Sequence, residues 1–188
     1  MNKHLFLTAV ASLLLLSFTH AQDNPPPASN PTPRTSDILS LGLGIGEDFG
    51  AFGGNITVYP QQNIGLFVGF GDAIAGFGYN IGVKIRALPN HGQSKVRPFF
   101  EAMYGYNAAV AVSNASQDNK LFYGPTVGAG LDIGSTRKGK GFLSLAILVP
   151  IRSPDVQNYI DQLRANGVSF PNDLLPITFS IGYHFILN

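Results

Sequence analysis

A closed antiparallel β-barrel of about eight strands, crossing a membrane, is the fold this sequence predicts. Three observations predict it. From residue 37 onward apolar and polar residues alternate with a period of two, which only a strand produces. Charged residues make up only 12% of the chain, about half the soluble average. Yet no apolar run after the amino-terminal one approaches the roughly 20 residues a membrane-crossing helix needs. In lipid, backbone N–H and C=O groups can be satisfied only within a helix or a closed barrel, so with no spanning helix the strands must close.

The amino terminus reads as an export signal over residues 1–21. Lys3 and His4 precede the apolar run Leu5 to Leu16, and Thr19-His20-Ala21 offers small residues before Gln22. That run is too short to stay in a bilayer as a helical anchor. Residues 22–36 hold five prolines and almost nothing apolar, and read as an extended, solvated tail on the periplasmic side. The barrel is expected over residues 37–188.

Eight alternating segments follow in order. Leu39, Leu41, Leu43 and Ile45 share a face against Ser40, Gly42, Gly44 and Gly46; Phe52, Ile56 and Val58 oppose Gly53, Asn55, Thr57 and Tyr59. Ile64, Leu66, Val68 and Phe70 oppose Gly65, Phe67, Gly69 and Gly71. Phe77, Tyr79, Ile81, Val83 and Ile85 oppose Gly78, Asn80, Gly82, Lys84 and Arg86. The fifth segment sets Phe100, Ala102, Tyr104, Tyr106, Ala108, Val110 and Val112 against Phe99, Glu101, Met103, Gly105 and Asn107. In the sixth, Leu121, Tyr123, Val127, Ala129, Leu131 and Ile133 oppose Phe122, Gly124, Thr126, Gly128, Gly130 and Asp132. Leu143, Leu145, Ile147 and Val149 oppose Ser144 and Ala146. Ile177, Phe179, Ile181, Tyr183, Phe185 and Leu187 oppose Thr178, Ser180, Gly182 and His184.

The apolar faces are expected to point outward, toward lipid. A soluble barrel of opposite polarity would expose the strand glycines to water, where each weakens its strand by roughly 0.5–1 kcal/mol with no gain. Inside a bore of eight strands small residues are needed to fit large ones. Tyr59, Tyr79, Tyr104, Tyr106, Tyr123, Tyr183 and Phe185 are candidates for interfacial aromatic girdles, although Tyr59 falls on the inward face by parity.

An even strand number places both chain ends on one side, so connections alternate. Outer loops are expected at 47–50, 72–75, 113–120 and 152–175, and periplasmic turns at 60–63, 88–97 and 135–141. The turn at 88–97 is longer than such turns usually are. In the last outer loop Ser153-Pro154-Asp155 is a helix start, and Val156, Tyr159, Ile160 and Leu163 form a stripe of period 3.6 that Asn166-Gly167 ends. Two readings of that helix stand open: a lid packed on the barrel rim, and a contact for a surface partner or lipid surface.

Strand direction puts Lys84, Arg86, Glu101 and Asp132 at one level of the lumen, near the periplasm. Two positive and two negative groups there can neutralise one another, so an ionic cluster that plugs the bore is expected.

Several classes are disfavoured. Removing residues 1–21 leaves 11 basic and 11 acidic residues, so there is no electrostatic footprint for nucleic acid. With no cysteine and two histidines outside the export signal, neither a disulfide framework nor a metal centre is expected. The glycine strings at 42–46 and 124–130 lack a following helix and the Gly-Lys-Ser/Thr of a phosphate loop; no cofactor is expected. Ser180 and His184 share a face but lie roughly 13 Å apart along an extended strand, too far for a nucleophile and its base. Ser40 and Asp37 can neighbour His184 across the barrel closure, but facing inward at the periplasmic end, away from outer-leaflet lipid.

The chain resembles the small outer-membrane β-barrels of the OmpA/OmpX type in strand pattern and in its ending. Ser180, Gly182, Phe185 and Leu187 match the pattern read by the barrel-assembly machinery, a polar residue, a glycine two on and apolar positions at the end of the last strand. The resemblance implies a Gram-negative outer membrane, lipid as surroundings and that machinery as a partner during biogenesis. The expected role is structural or surface-interacting, with no chemistry of its own. A narrow pore or protein-export component is the alternative, and a lipid-modifying enzyme the second.

Overall fold

The computed structural model describes residues 39–61, 63–87, 95–112, 118–135, 140–170 and 174–187. The expected export signal, the proline-rich tail and Asp37 lie outside the described residues.

Eight strands form one closed barrel in sequence order, every neighbour antiparallel. They are β1 (Leu39–Gly46), β2 (Ala51–Gln61), β3 (Ile64–Asp72), β4 (Phe77–Arg86), β5 (Val96–Val110), β6 (Lys120–Gly134), β7 (Gly141–Pro150) and β8 (Thr178–Ile186). Closure is made by β8 on β1, with Leu41 opposite Phe185 and Gly44 opposite Gly182. No helix among the described residues is long and apolar enough to cross a membrane.

The barrel is dressed with apolar groups outside and polar ones inside. Leu43, Phe52, Leu66, Ile81, Phe100, Ile147, Phe179 and Ile181 are each at least half exposed, while Asn80, Lys84, Arg86, Arg97, Asp132 and His184 are buried. Strand parity alone produces this split, because successive side chains leave opposite faces.

Aromatic residues gather at two levels of the outer surface. Tyr79 and Tyr123 lie 5.1 Å apart between ring centroids toward the ends of β4 and β6 that carry the outer loops. Tyr183 and Phe185 lie 4.9 Å apart near the end that holds both chain termini. Tyr104 is also exposed. Tyr59 is not a girdle residue: it is buried in the lumen with the Arg86 guanidinium 4.1 Å from its ring centre.

Two strand details differ from the sequence expectation. The long turn at 88–97 is shortened because β5 already begins at Val96, which draws Arg97 into the wall and its side chain into the lumen. At Asn107 a bulge inserts one extra residue between the pairs Tyr106–Tyr123 and Ala108–Phe122. Ala108 and Val110 therefore turn to the inner face instead of continuing the outward face of Tyr104.

That flip makes a seat for the helix α1 (Pro154–Ala165), whose Val156, Ile160 and Leu163 are buried against Ala108, Val110 and Phe122. Ser153 caps it by accepting from the Asp155 amide, Pro154 occupies the first turn, and Gly167 follows with φ +88°. Tyr159 sets its ring edge-on to Phe122 and donates to the Asp118 carbonyl at 2.8 Å. The apolar stripe of α1 is thus spent on the upper β5–β6 hairpin, the lid arrangement.

Candidate functional site in the barrel lumen

The connection between β1 and β2 does not project outward. Glu47–Phe49 form one turn of 3-10 helix that folds into the bore, where all three residues are buried and Phe49 is wholly inaccessible. The turn touches β1 to β5 and β8. Gly50, with φ +68°, closes it by donating its amide to the Glu47 carbonyl at 3.0 Å.

The barrel wall is built to receive this plug. Register places Gly182, Gly44, Gly53, Gly71 and Gly78 opposite one another in a row across β8, β1, β2, β3 and β4. A methyl group on Gly182 or Gly44 would run into the Phe49 ring, and one on Gly53 or Gly71 would sit 2.6 Å from the Phe49 carbonyl oxygen. The row is therefore a Cβ-free floor on which a backbone and a phenyl ring lie directly against the wall.

Polar side chains then satisfy the plug. Asn55 and Asn80 donate to the Asp48 and Glu47 carbonyls, each at 2.7 Å. Thr126 and Thr178 donate to the two Glu47 carboxylate oxygens at 2.8 and 3.1 Å, and Ser180 donates to Asp48. Burial pushes the Glu47 carboxyl up to about 6, opposed by the Thr126 and Thr178 hydrogen bonds and the Arg152 charge. Burial raises the Asp48 carboxyl too, opposed by Lys84 and the Ser180 hydrogen bond.

Below the plug lies an apolar layer of Phe67, Phe99, Met103, Ala146 and Leu148. Below that are the charges. Asp132 is their centre: its Oδ2 accepts from Arg86 Nη2 at 2.8 Å and from Nε at 3.1 Å, and its Oδ1 lies 3.8 Å from Lys84 Nζ. Glu101 is more loosely held, 3.9 Å from Lys84 Nζ, with neither oxygen hydrogen-bonded among the described residues. Lys84 also donates to Ser144 at 3.2 Å and lies 3.9 Å from the Phe99 ring centre. Lys84, Arg86, Glu101 and Asp132 are thus brought into one lumen cluster.

Sequence reasoning missed three members of this interior. Arg97 donates to the Gly134 carbonyl at 3.1 Å and lies over Phe142, and the carboxylates of Glu47 and Asp48 come in with the plug. Three basic and four acidic side chains are buried among the described residues. Phe142 stacks on His184 with centroids 4.8 Å apart and planes 3° from parallel.

Ser40 and His184 do meet across the closure, Oγ lying 3.4 Å from Nδ1. Both are buried, and the imidazole is enclosed by Gly42, Phe142 and Phe49. A substrate has no approach to the pair through these groups. Among the described residues no three His, Asp or Glu side chains converge as metal ligands.

No protein-family model, curated protein or solved structure matches this chain. The closed eight-stranded antiparallel barrel is what it has in common with the small outer-membrane barrels it resembles.

Of the four residues in the expected assembly pattern, Ser180 and Gly182 serve the plug, whereas Phe185 and Leu187 are exposed on the outer face.

Proposed function

We propose that this protein is an integral outer-membrane barrel with a structural or surface-interaction role, its bore closed by its own β1–β2 turn, and no chemistry of its own. The observation that carries the reading is the inverted dressing of the wall. Large apolar side chains cover the outside at exposures of about 40–65%, while seven charged groups are buried inside. Exposed apolar surface on a soluble monomer rarely exceeds a few hundred Å² in one patch; here it encircles the barrel. A bilayer is the solvent in which that surface costs nothing and in which closure satisfies every strand edge.

The packed interior supports a closed bore over a conducting one. Plug, apolar layer and ionic cluster occupy successive levels, each with neighbours in contact. Export as the mature chain and assembly by the barrel-assembly machinery, through Ser180, Gly182, Phe185 and Leu187, belong to the same proposal.

Membrane fractionation followed by SDS gels with and without boiling tests it. The protein should sediment with outer membranes and run faster unboiled than boiled. A protein fully soluble without detergent would overturn the reading.

A further inference from the structure

Because the β1–β2 turn folds inward, the wall is low where it would otherwise rise. β1 ends at Gly46, and the last β8 residue paired with it is Ile181, so Thr178 and Phe179 continue past the end of β1. A cleft of about 620 Å³ occupies this notch, within the roughly 300–1,000 Å³ range of small-molecule sites.

The two ends of the cleft differ in chemistry. Ile45 and Phe179 line one end and are 50% and 65% exposed on the outer face of the barrel. Glu47, Tyr106 and Arg152 line the other, toward the mouth of the bore. Leu175 forms part of the apolar wall between them and fixes Arg152 by accepting from Nη1; Nε donates to the Asn107 carbonyl at 3.3 Å.

Glu47 and Arg152 are opposite charges on one cavity, yet among the described residues they form no direct ion pair with each other. Each Glu47 oxygen accepts one hydroxyl, which leaves a further lone pair on each. Arg152 spends Nε and Nη1 on carbonyls, and Nη2 has no partner among the described residues. An anion at Arg152 and a cation at Glu47 would complete both.

We propose that this notch binds one membrane phospholipid with a phosphate–ammonium headgroup, phosphate on Arg152, ammonium toward Glu47, and an acyl chain leaving past Ile45 and Phe179. The occupant follows from the opening: the apolar end gives onto the lipid-facing surface, where phospholipid is the amphiphile at hand. The inference rests on the membrane reading above.

The test is native mass spectrometry of the detergent-purified protein with added phosphatidylethanolamine or phosphatidylglycerol. One phosphatidylethanolamine should be retained about tenfold more tightly than phosphatidylglycerol, the size expected of one charge-assisted hydrogen bond. Arg152→Ala and Glu47→Gln should each remove that preference, and Arg164→Ala on α1 should keep it. Arg152 is only partly buried, so Arg152→Ala should still fold, which the unboiled gel position checks. Equal retention of the two lipids, or an unchanged preference in Arg152→Ala, overturns the site. A heat-dependent gel shift without lipid preference refutes the notch alone, whereas absence of both shift and membrane sedimentation refutes the membrane reading.

Discussion

Gly182 and Phe49 should behave as one energetic unit. The Phe49 ring is wholly buried, so Phe49→Ala is expected to cost about 3–5 kcal/mol through lost contacts and the cavity left behind. Gly182→Ala introduces a methyl where the ring already lies against the backbone, an overpacking cost of about 1–3 kcal/mol. Independent sites would add these to about 4–8 kcal/mol. In the double variant, however, the new methyl enters space the ring has vacated. The Gly182→Ala cost should then nearly disappear, giving a coupling of about 1–2 kcal/mol. Unfolding in urea, read by far-ultraviolet circular dichroism and by the unboiled gel band, supplies all four stabilities; the chain has no tryptophan to report by fluorescence. Strict additivity would mean that Gly182 does not seat Phe49, and the plug as described would be wrong.

Three further outcomes follow from the interior. Asp132→Ala strips Arg86 of its 2.8 Å partner in a buried setting and should destabilise the barrel by about 3–5 kcal/mol, whereas Glu101→Gln, which loses only a 3.9 Å contact, should change stability by under about 1 kcal/mol; the same unfolding curves give the ranking, and the reverse order would displace Asp132 from the centre of the cluster. Glu47 has a carboxyl raised from 4.5 to about 6, so ionising it costs the folded state more than the unfolded one. That penalty is absent below pH 4.5, grows as pH rises to about 6 and is complete above; Glu47→Gln should therefore be more stable than the native chain by about 2 kcal/mol at pH 7.5 and equal to it near pH 4.5, and a difference independent of pH would contradict the burial of this group. Ile160→Ala should loosen α1 from Ala108, Val110 and Phe122 at a cost of about 2–4 kcal/mol, seen as faster protease cleavage in residues 154–165 with an unchanged gel shift; loss of the shift would show that α1 holds the barrel itself together.

The strand pattern was legible because parity is a strong code: a face that alternates over nine or ten residues can be assigned from residue types alone. Lys84, Arg86, Glu101 and Asp132 could be placed together for the same reason, since strand direction fixes their level. What parity could not show was the inward fold of Glu47–Phe49. Three residues carry no period, and an acid pair beside glycines looks like any solvated loop. The signal available was the glycine row, whose members fall at matching levels on five neighbouring strands only once the register is known. Glu101 was overrated for a related reason: its position is set by the strand, but its 3.9 Å distance from Lys84 depends on rotamers. The bulge at Asn107 reversed Ala108 and Val110 because one inserted residue exchanges the faces beyond it. Arg97 was hidden by the same long turn that concealed the start of β5.

The direction of the faces on β8 tests the central claim most directly. The chain has no cysteine, so single cysteines carrying nitroxide labels can be placed at Phe179, Ile181 and Tyr183 on the outer face, with Leu187 beyond the strand end for comparison. In reconstituted vesicles, labels at Phe179, Ile181 and Tyr183 should be relaxed strongly by oxygen, which partitions into lipid, and weakly by a water-soluble nickel chelate. The reverse order at Ile181, in the middle of the strand, would mean that this face meets water, and the barrel would not be a membrane protein.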